Sequence, residues 1–363
     1  MLDDLRLFVE HETPSTDKVL LDGFAGFLAT YAEERTGGRA EILPAEGSGD
    51  HVRVRWGDEG GEAPILLLGH YDTVWPAGTL REMPFDIRNG LATGPGVFDM
   101  KCGLVQGFWA VRALREAAGA DRPVVFLCNS DEELGSPSSR ALIEEEALRS
   151  SAVLVLEPSL NGALKTARKG VGRFTVRVTG RPAHAGLDPT GGVSAIEELA
   201  RLTLKLHDQS DPLGSGTTVN VGVVSGGTRY NVIAAEATGE VDVRVVTQAE
   251  AERMISLLSA LEPHHPGARV SVEGGMVWPP MERTEKIAGL FSKASPLARE
   301  FGFELEEGLA GGASDGCYCA ALGLPVLDGL GAVGGGAHAT DEHVEGASMV
   351  PRSALVSRLM ETL

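Results

Sequence analysis

Three short apolar runs constrain this chain more than any other feature. Ile65-Leu66-Leu67-Leu68-Gly69, Val124-Val125-Phe126-Leu127-Cys128 and Val153-Leu154-Val155-Leu156 are continuously hydrophobic, without the polar alternation of a half-exposed strand. Such runs read as strands buried on both faces, as in a parallel sheet covered by helices on either side. The stretch between the first two has helical spacing from Lys101 to Ala118 and a stop at Gly119. Each run also ends in the same kind of residue. The first ends in His70 and Asp72, the second leads into Asp131-Glu132-Glu133, and the third runs into Glu157. In open α/β sheets, ligands bind beyond the carboxyl ends of strands. These polar groups therefore stand where a site is expected.

The length of 363 residues favours two domains, and a hydrophobic content of 43% is ample for ordinary cores. No apolar stretch is long enough for a membrane span. The acidic start Met1-Leu2-Asp3-Asp4-Leu5-Arg6 lacks the features of a secretory signal, which makes the cytoplasm the expected location. Cys102, Cys128, Cys317 and Cys319 are too few and too scattered for a disulfide scaffold and read as small packing residues. A net charge of -19 would repel a nucleic-acid backbone, so no such partner is expected. The run Glu144-Glu145-Glu146 fits a solvated helix face.

Around the apolar runs, residues 17–35 have helical spacing with Thr16 or Asp17 as a cap, and residues 51–56 alternate as a strand. The middle of the chain differs. Residues 172–180, 218–224, 240–246 and 269–273 alternate polar and apolar, as antiparallel strands with one wet face do, and residues 194–207 and 248–261 are helical. Helical spacing resumes from Glu285 to Phe301, and a last helix starts at Pro351. The pattern predicts an α/β domain, its sheet mainly parallel and flanked by helices, made of residues 1–171 and 281–363. An α+β domain of residues 172–280 is inserted into it.

His70, Asp99, Glu133, Glu157 and His338 are five nitrogen or oxygen donors, all expected at loop ends along one sheet edge, with no cysteine among them. Asp99 follows Gly94-Pro95-Gly96 just before a helix, where capping is its alternative duty. The glycines around His338 let the backbone approach a site closely. Two imidazoles and three carboxylates suit a pair of divalent ions, zinc first and cobalt or manganese next. Five ligands for two ions require a bridge, and Asp99 is the natural one. A carboxylate beside His70, that of Asp72, can orient its ring. Glu132 can take a proton from water and deliver it to a leaving nitrogen.

With these motifs in order, the chain resembles the M20 family of metallopeptidases, above all its glutamate carboxypeptidase branch. The residues that carry the resemblance are Gly69-His70-Tyr71-Asp72-Thr73-Val74, Gly94-Pro95-Gly96-Val97-Phe98-Asp99-Met100-Lys101, Asp131-Glu132-Glu133-Leu134-Gly135-Ser136, Glu157-Pro158-Ser159, Gly180-Arg181-Pro182-Ala183-His184-Ala185-Gly186 and His338. The resemblance implies two zinc ions per chain. His70 and Glu157 would hold one, Glu133 and His338 the other, with Asp99 bridging and followed by a cis peptide bond. It implies Glu132 as general base and Asp72 as the orienter of His70. It makes the inserted segment a dimerisation domain whose His184 reaches the partner's site in a homodimer. Asn231 and Arg244 match positions that bind a substrate carboxylate, and Gly312 and Ser314 lie in a loop resembling one that contacts substrate backbone. Trp278 stands where glutamate carboxypeptidases tend to carry arginine, which leaves room for an apolar acyl group to pack there. The implied reaction is hydrolysis of an amide in a small peptide or N-acyl amino acid, releasing a C-terminal residue such as glutamate. The alternatives are a deacylase acting on acetylornithine or succinyl-diaminopimelate, or a dipeptidase.

Overall fold

A computed structural model describes residues 1–57, 61–118 and 122–363. The chain forms two compact units. One comprises Met1–Ala167, Arg283–Ala310 and Ser314–Leu363; the other comprises Arg168–Glu282 and Gly311–Ala313.

The first unit is built on a mixed six-stranded sheet, in the order Arg39–Leu43, His51–Trp56, Val124–Asn129, Ile65–His70, Ala152–Val155, Val326–Leu327. The first two pairings are antiparallel and the last three parallel. The three apolar runs occupy the centre, and all their residues are buried. Residues in that position have no wet face, which is why they show no alternation. The helices Cys102–Ala118 and Met349–Thr362 pack on one another, and Lys18–Thr36 packs against the sheet's first strand. Phe8 fills the space below them, its ring meeting Phe24 and Tyr31 edge-on at 5.5 and 5.0 Å. Asp17 caps Lys18–Thr36 by accepting from Leu20 N at 3.2 Å.

Three local expectations need revision or fall outside view. The last helix begins at Met349, and Pro351 sits inside its first turn, where a missing N–H costs nothing because that donor has no helical partner anyway. Glu146 is not on a solvated face. Only 1% of its side chain is exposed, and its carboxylate accepts from Arg53 Nη1 at 2.7 Å and Arg55 Nη2 at 3.0 Å. The expected helix stop at Gly119 lies outside the described residues.

The second unit carries a four-stranded antiparallel sheet, in the order Thr218–Gly226, Glu236–Val245, Gly170–Thr179, Arg269–Trp278. Helices Ala195–His207 and Gln248–Ser259 pack on it. Ser194 and Thr247 cap these helices through their hydroxyl oxygens. Phe174, Val176 and Val178 from the central strand meet Leu199, Leu202, Met254 and Leu258 in the core. The intervening side chains face outwards, which accounts for the alternation. Among the described residues, no helix is long and apolar enough to cross a membrane.

Candidate metal centre

The centre of the first unit's sheet delivers its polar residues to one edge. Ile65–His70 ends on His70, whose side chain is 2% exposed. Its Nδ1 lies 3.0 Å from the Asp72 carbonyl and 3.3 Å from Asp72 Oδ1. Its Nε2 faces Asp99 Oδ1 at 3.2 Å and Glu157 Oε1 at 3.4 Å. Asp72 is fully buried. It accepts from Ser15 Oγ at 2.8 Å, Glu132 N at 3.2 Å and Glu133 N at 3.3 Å. Asp72 thus aims the His70 ring through its carbonyl and carboxylate together, and its carboxylate fixes the turn that carries the next two acids.

Asp99 belongs to the turn Val97–Lys101 that precedes the long helix, and the Asp99–Met100 peptide is cis. The turn presses against the His70 loop. Gly96 has φ 69°, and a Cβ there would lie 2.4 Å from Thr73 Cγ2. The carboxylate oxygens of Asp99 face two different imidazoles: Oδ1 that of His70, and Oδ2 that of His338 at 3.6 Å. His338 Nε2 is also 3.1 Å from Glu133 Oε1. His338 has φ 61°, a left-handed conformation rare outside glycine, in the Gly-rich segment noted above.

Glu157 is held by its surroundings. Its carbonyl accepts from Gly331 N at 2.9 Å, and the buried Arg352 guanidinium binds the carbonyls of Gly331, Gly162 and Gly329. Lys165 Nζ stands 3.7 Å from Glu157 Oε2. Lys165, Arg352 and Glu342 were not signalled by any motif. Glu342 accepts four hydrogen bonds from the Trp75 and Asp99 loops.

Potential ligand atoms of His70, Asp99 and Glu133 lie within 4.8 Å of one another, as do those of His70, Glu132 and Glu157. The protonation tendencies are those of a cation-hungry cluster. Burial opposes a charge on His70, but Asp72, Asp99 and Glu157 outweigh it and push its pKa well up. The hydrogen bond to Glu133 pushes His338 up to about 9. Burial raises Glu132 and Glu133 as well. Without a cation, these groups hold on to protons to offset their crowded negative charge. A donor set of imidazoles and carboxylates, one carboxylate facing two imidazoles, fits a pair of divalent ions.

Four of the remaining expected residues belong to the second unit. In the second unit, the exposed His184 accepts at Nδ1 from Gly186 N and Leu187 N, both at 3.1 Å, which leaves Nε2 as the protonated nitrogen. The Asn231 carbonyl accepts from Ala185 N at 3.0 Å, beside it. Arg244 makes a two-pronged ion pair with Asp242, at 2.8 and 3.0 Å. The Gly312 carbonyl accepts from Arg168 Nη1 at 3.2 Å. In the first unit, Ser314 is fully buried and donates to Asp328 Oδ2 at 2.6 Å, so its hydroxyl shapes the loop from within. Trp278 is 6% exposed, with the Arg173 guanidinium 5.7 Å from its ring centre. It has little surface to offer an acyl group, which corrects the expectation drawn from its position.

A mixed α/β sheet that gathers the buried His70 imidazole, the exposed His338 imidazole and several carboxylates at its carboxyl edge has the makings of a metal-dependent hydrolase. The model of peptidase family M20/M25/M40 matches residues 66–362, and the chain belongs to this family of metallopeptidases and amidohydrolases. It is 32% identical to carboxypeptidase G2 of Pseudomonas sp. (strain RS-16) over 310 residues, which is 84% of this chain and 74% of that protein. It is 28% identical to acetylornithine deacetylase of Pasteurella multocida (strain Pm70) over 274 residues, 71% of this chain and 70% of that one. Its fold matches the crystal structure of aminopeptidase PepT from Bacillus cereus with a TM-score of 0.84 and 22% identity, covering 99% of this chain and 97% of that chain.

Proposed function

We propose that this chain is a dizinc amidohydrolase of the carboxypeptidase type, releasing a C-terminal amino acid such as glutamate from a small peptide or N-acyl amino acid. In this reading His70 and Glu157 hold one ion, Glu133 and His338 the other, and Asp99 is shared; cobalt or manganese could replace zinc. The observation that carries it is Asp99, whose two oxygens each face a different histidine. Divalent ions in such a site polarise the scissile carbonyl and make water acidic enough to attack near neutral pH.

The protein's own residues do the rest. Asp72 keeps the His70 ring turned towards Asp99 and Glu157. Glu132 accepts the proton of the attacking water and returns it to the leaving nitrogen. Its burial favours the protonated form and so suits both halves of that transfer. Arg244 offers a two-pronged grip for the carboxylate of the released residue, which then takes the place of Asp242. Asn231 lies beside His184 and assists that binding, and the Gly312 loop meets the substrate backbone.

The working unit is a homodimer in which His184 of one subunit donates from Nε2 to the carbonyl oxygen at the other's site. Support comes from the second unit's edge strand Thr218–Gly226, where Val223 and Val224 are 61% and 60% exposed. Beside it, Ile196 and Leu204 of the neighbouring helix are 48% and 69% exposed. An open strand edge with an apolar flank is a template for a second copy.

A second reading, deacylation of acetylornithine or succinyl-diaminopimelate, draws on the likeness to acetylornithine deacetylase. Metal analysis together with a panel of N-acyl glutamates, other N-acyl amino acids, these two compounds and dipeptides tests both. Zinc-dependent release of glutamate supports the first reading, and preference for the acylated diamino acids supports the second. No hydrolysis by the zinc-loaded protein would overturn both.

A further inference from the structure

We propose that Glu342 is a positioning residue for the ion pair: its carboxylate ties together the three loops that present His70, Asp99 and His338. The inference rests on the reading of those residues as ligands.

Glu342 is fully buried, and its charge is met by donors that carry none. Oε1 accepts from Phe98 N at 2.9 Å and Asp99 N at 3.1 Å. Oε2 accepts from Gly96 N at 2.9 Å and Trp75 Nε1 at 2.8 Å. Four donors fill the four acceptor directions of a carboxylate. A buried carboxylate is a poor choice for simple packing, because desolvation disfavours it unless such donors converge. Here they converge from particular places. Three are backbone amides of the turn that ends at Asp99. With those amides pinned, the direction in which the Asp99 side chain leaves the backbone is set.

The fourth donor, Trp75, lies in the loop that begins at His70 and contains Asp72. Glu342 itself closes the turn that carries His338. Its N donates to the Ala339 carbonyl at 3.0 Å, and Ala339 N donates to the Gly336 carbonyl at 2.9 Å. Gly336 is pressed to within 2.8 Å of Asp341 at the position a Cβ would take, so this turn is tight. A shift of Glu342 therefore moves His338 and Asp99 together. Residues at one remove from metal ligands act in this way when they orient the ligands and limit their motion.

The test compares wild-type protein with E342Q, freed of metal and then titrated with zinc against a competing chelator. In parallel, melting temperatures are measured with and without zinc. Glutamine is nearly the same size but turns an NH2 group towards backbone N–H donors. The expected result is a loss of about 10- to 100-fold in affinity for at least one ion, with a smaller zinc-induced rise in melting temperature. A purely structural role would lower the melting temperature of both forms and leave the zinc-induced rise unchanged. That outcome, or zinc affinities within about two-fold of wild type, would overturn the inference.

Should E342Q fail to fold, W75F removes one donor and keeps the carboxylate. A several-fold loss of zinc affinity in W75F then supports the proposal, and wild-type affinity overturns it. Wild-type protein that takes up no divalent ion would instead overturn the dinuclear reading, and this inference with it.

Discussion

Glu133 and His338 stand 205 residues apart in the chain, yet Oε1 of one lies 3.1 Å from Nε2 of the other. The contact forms because the first follows a central strand and the second sits on a glycine-rich turn near the end of the chain. It ties ion binding to pH. With its pKa raised from 6.5 to about 9, His338 in the metal-free protein is protonated through neutrality. An ion bound there must expel that proton, so affinity should rise as pH increases towards 9 and level off above it. Calorimetry in buffers of different ionisation enthalpy should show proton release on zinc binding near pH 7. Uptake with no proton exchange would rule out His338 as a ligand.

Removing the base should separate chemistry from metal binding. Glu132→Ala is expected to lower kcat by about 10²- to 10⁴-fold, with metal content still near two ions per chain. Glu132 also approaches His70 and Glu157 closely enough to be a ligand. A loss of one ion in this variant would assign it to binding instead.

Asp72→Asn should do the reverse. The amide NH2 would replace one of the two oxygens and so face the backbone donor of either Glu132 or Glu133. Leaving one such buried donor unpaired costs about 1–3 kcal/mol. Both stability, measured by urea unfolding, and zinc affinity should fall. Unchanged affinity would free His70 from its assigned dependence on Asp72.

The buried pair around Glu146 belongs to the fold alone. Glu146→Ala removes a partner shared by Arg53 and Arg55, leaves Arg53 paired with Glu41, and should cost about 1–3 kcal/mol in unfolding experiments. Ion content and the kcat of the surviving folded enzyme should match wild type.

The role of the edge strand can be tested with Val224→Lys, which places a charge on an exposed residue of the sheet's outermost strand. Light scattering should show monomers in place of dimers, and turnover should fall along with His184→Ala, by roughly 10²-fold or more if Nε2 stabilises the oxyanion. Dimers that persist in Val224→Lys would move the interface elsewhere.

Local pattern accounts for much of what the structure contains. A strand with helices on both faces of its sheet has no place for a polar residue, so the central strands had to be unbroken apolar runs. The second unit's strands keep one wet face, so they had to alternate. Since sheet sites gather beyond strand ends, His70, Glu133 and Glu157 could be picked out as a set, each being a weak signal alone. The mixed α/β class followed from the same logic. Glu146 shows where this reasoning stops. In sequence it is one of three adjacent acids, and only the arrival of Arg53 and Arg55 from a distant strand makes it a buried partner. Glu342 likewise carries no signal of its own. Its donors lie 243 to 267 residues away, and a hydrogen bond leaves no period in a sequence when its partner is that remote. Burial repeats along a strand or helix and can be read locally. The aim of the Asp99 carboxylate, the turn that lifts His338 and the carboxylate that joins them arise only when distant segments meet, and these the tertiary structure alone decided.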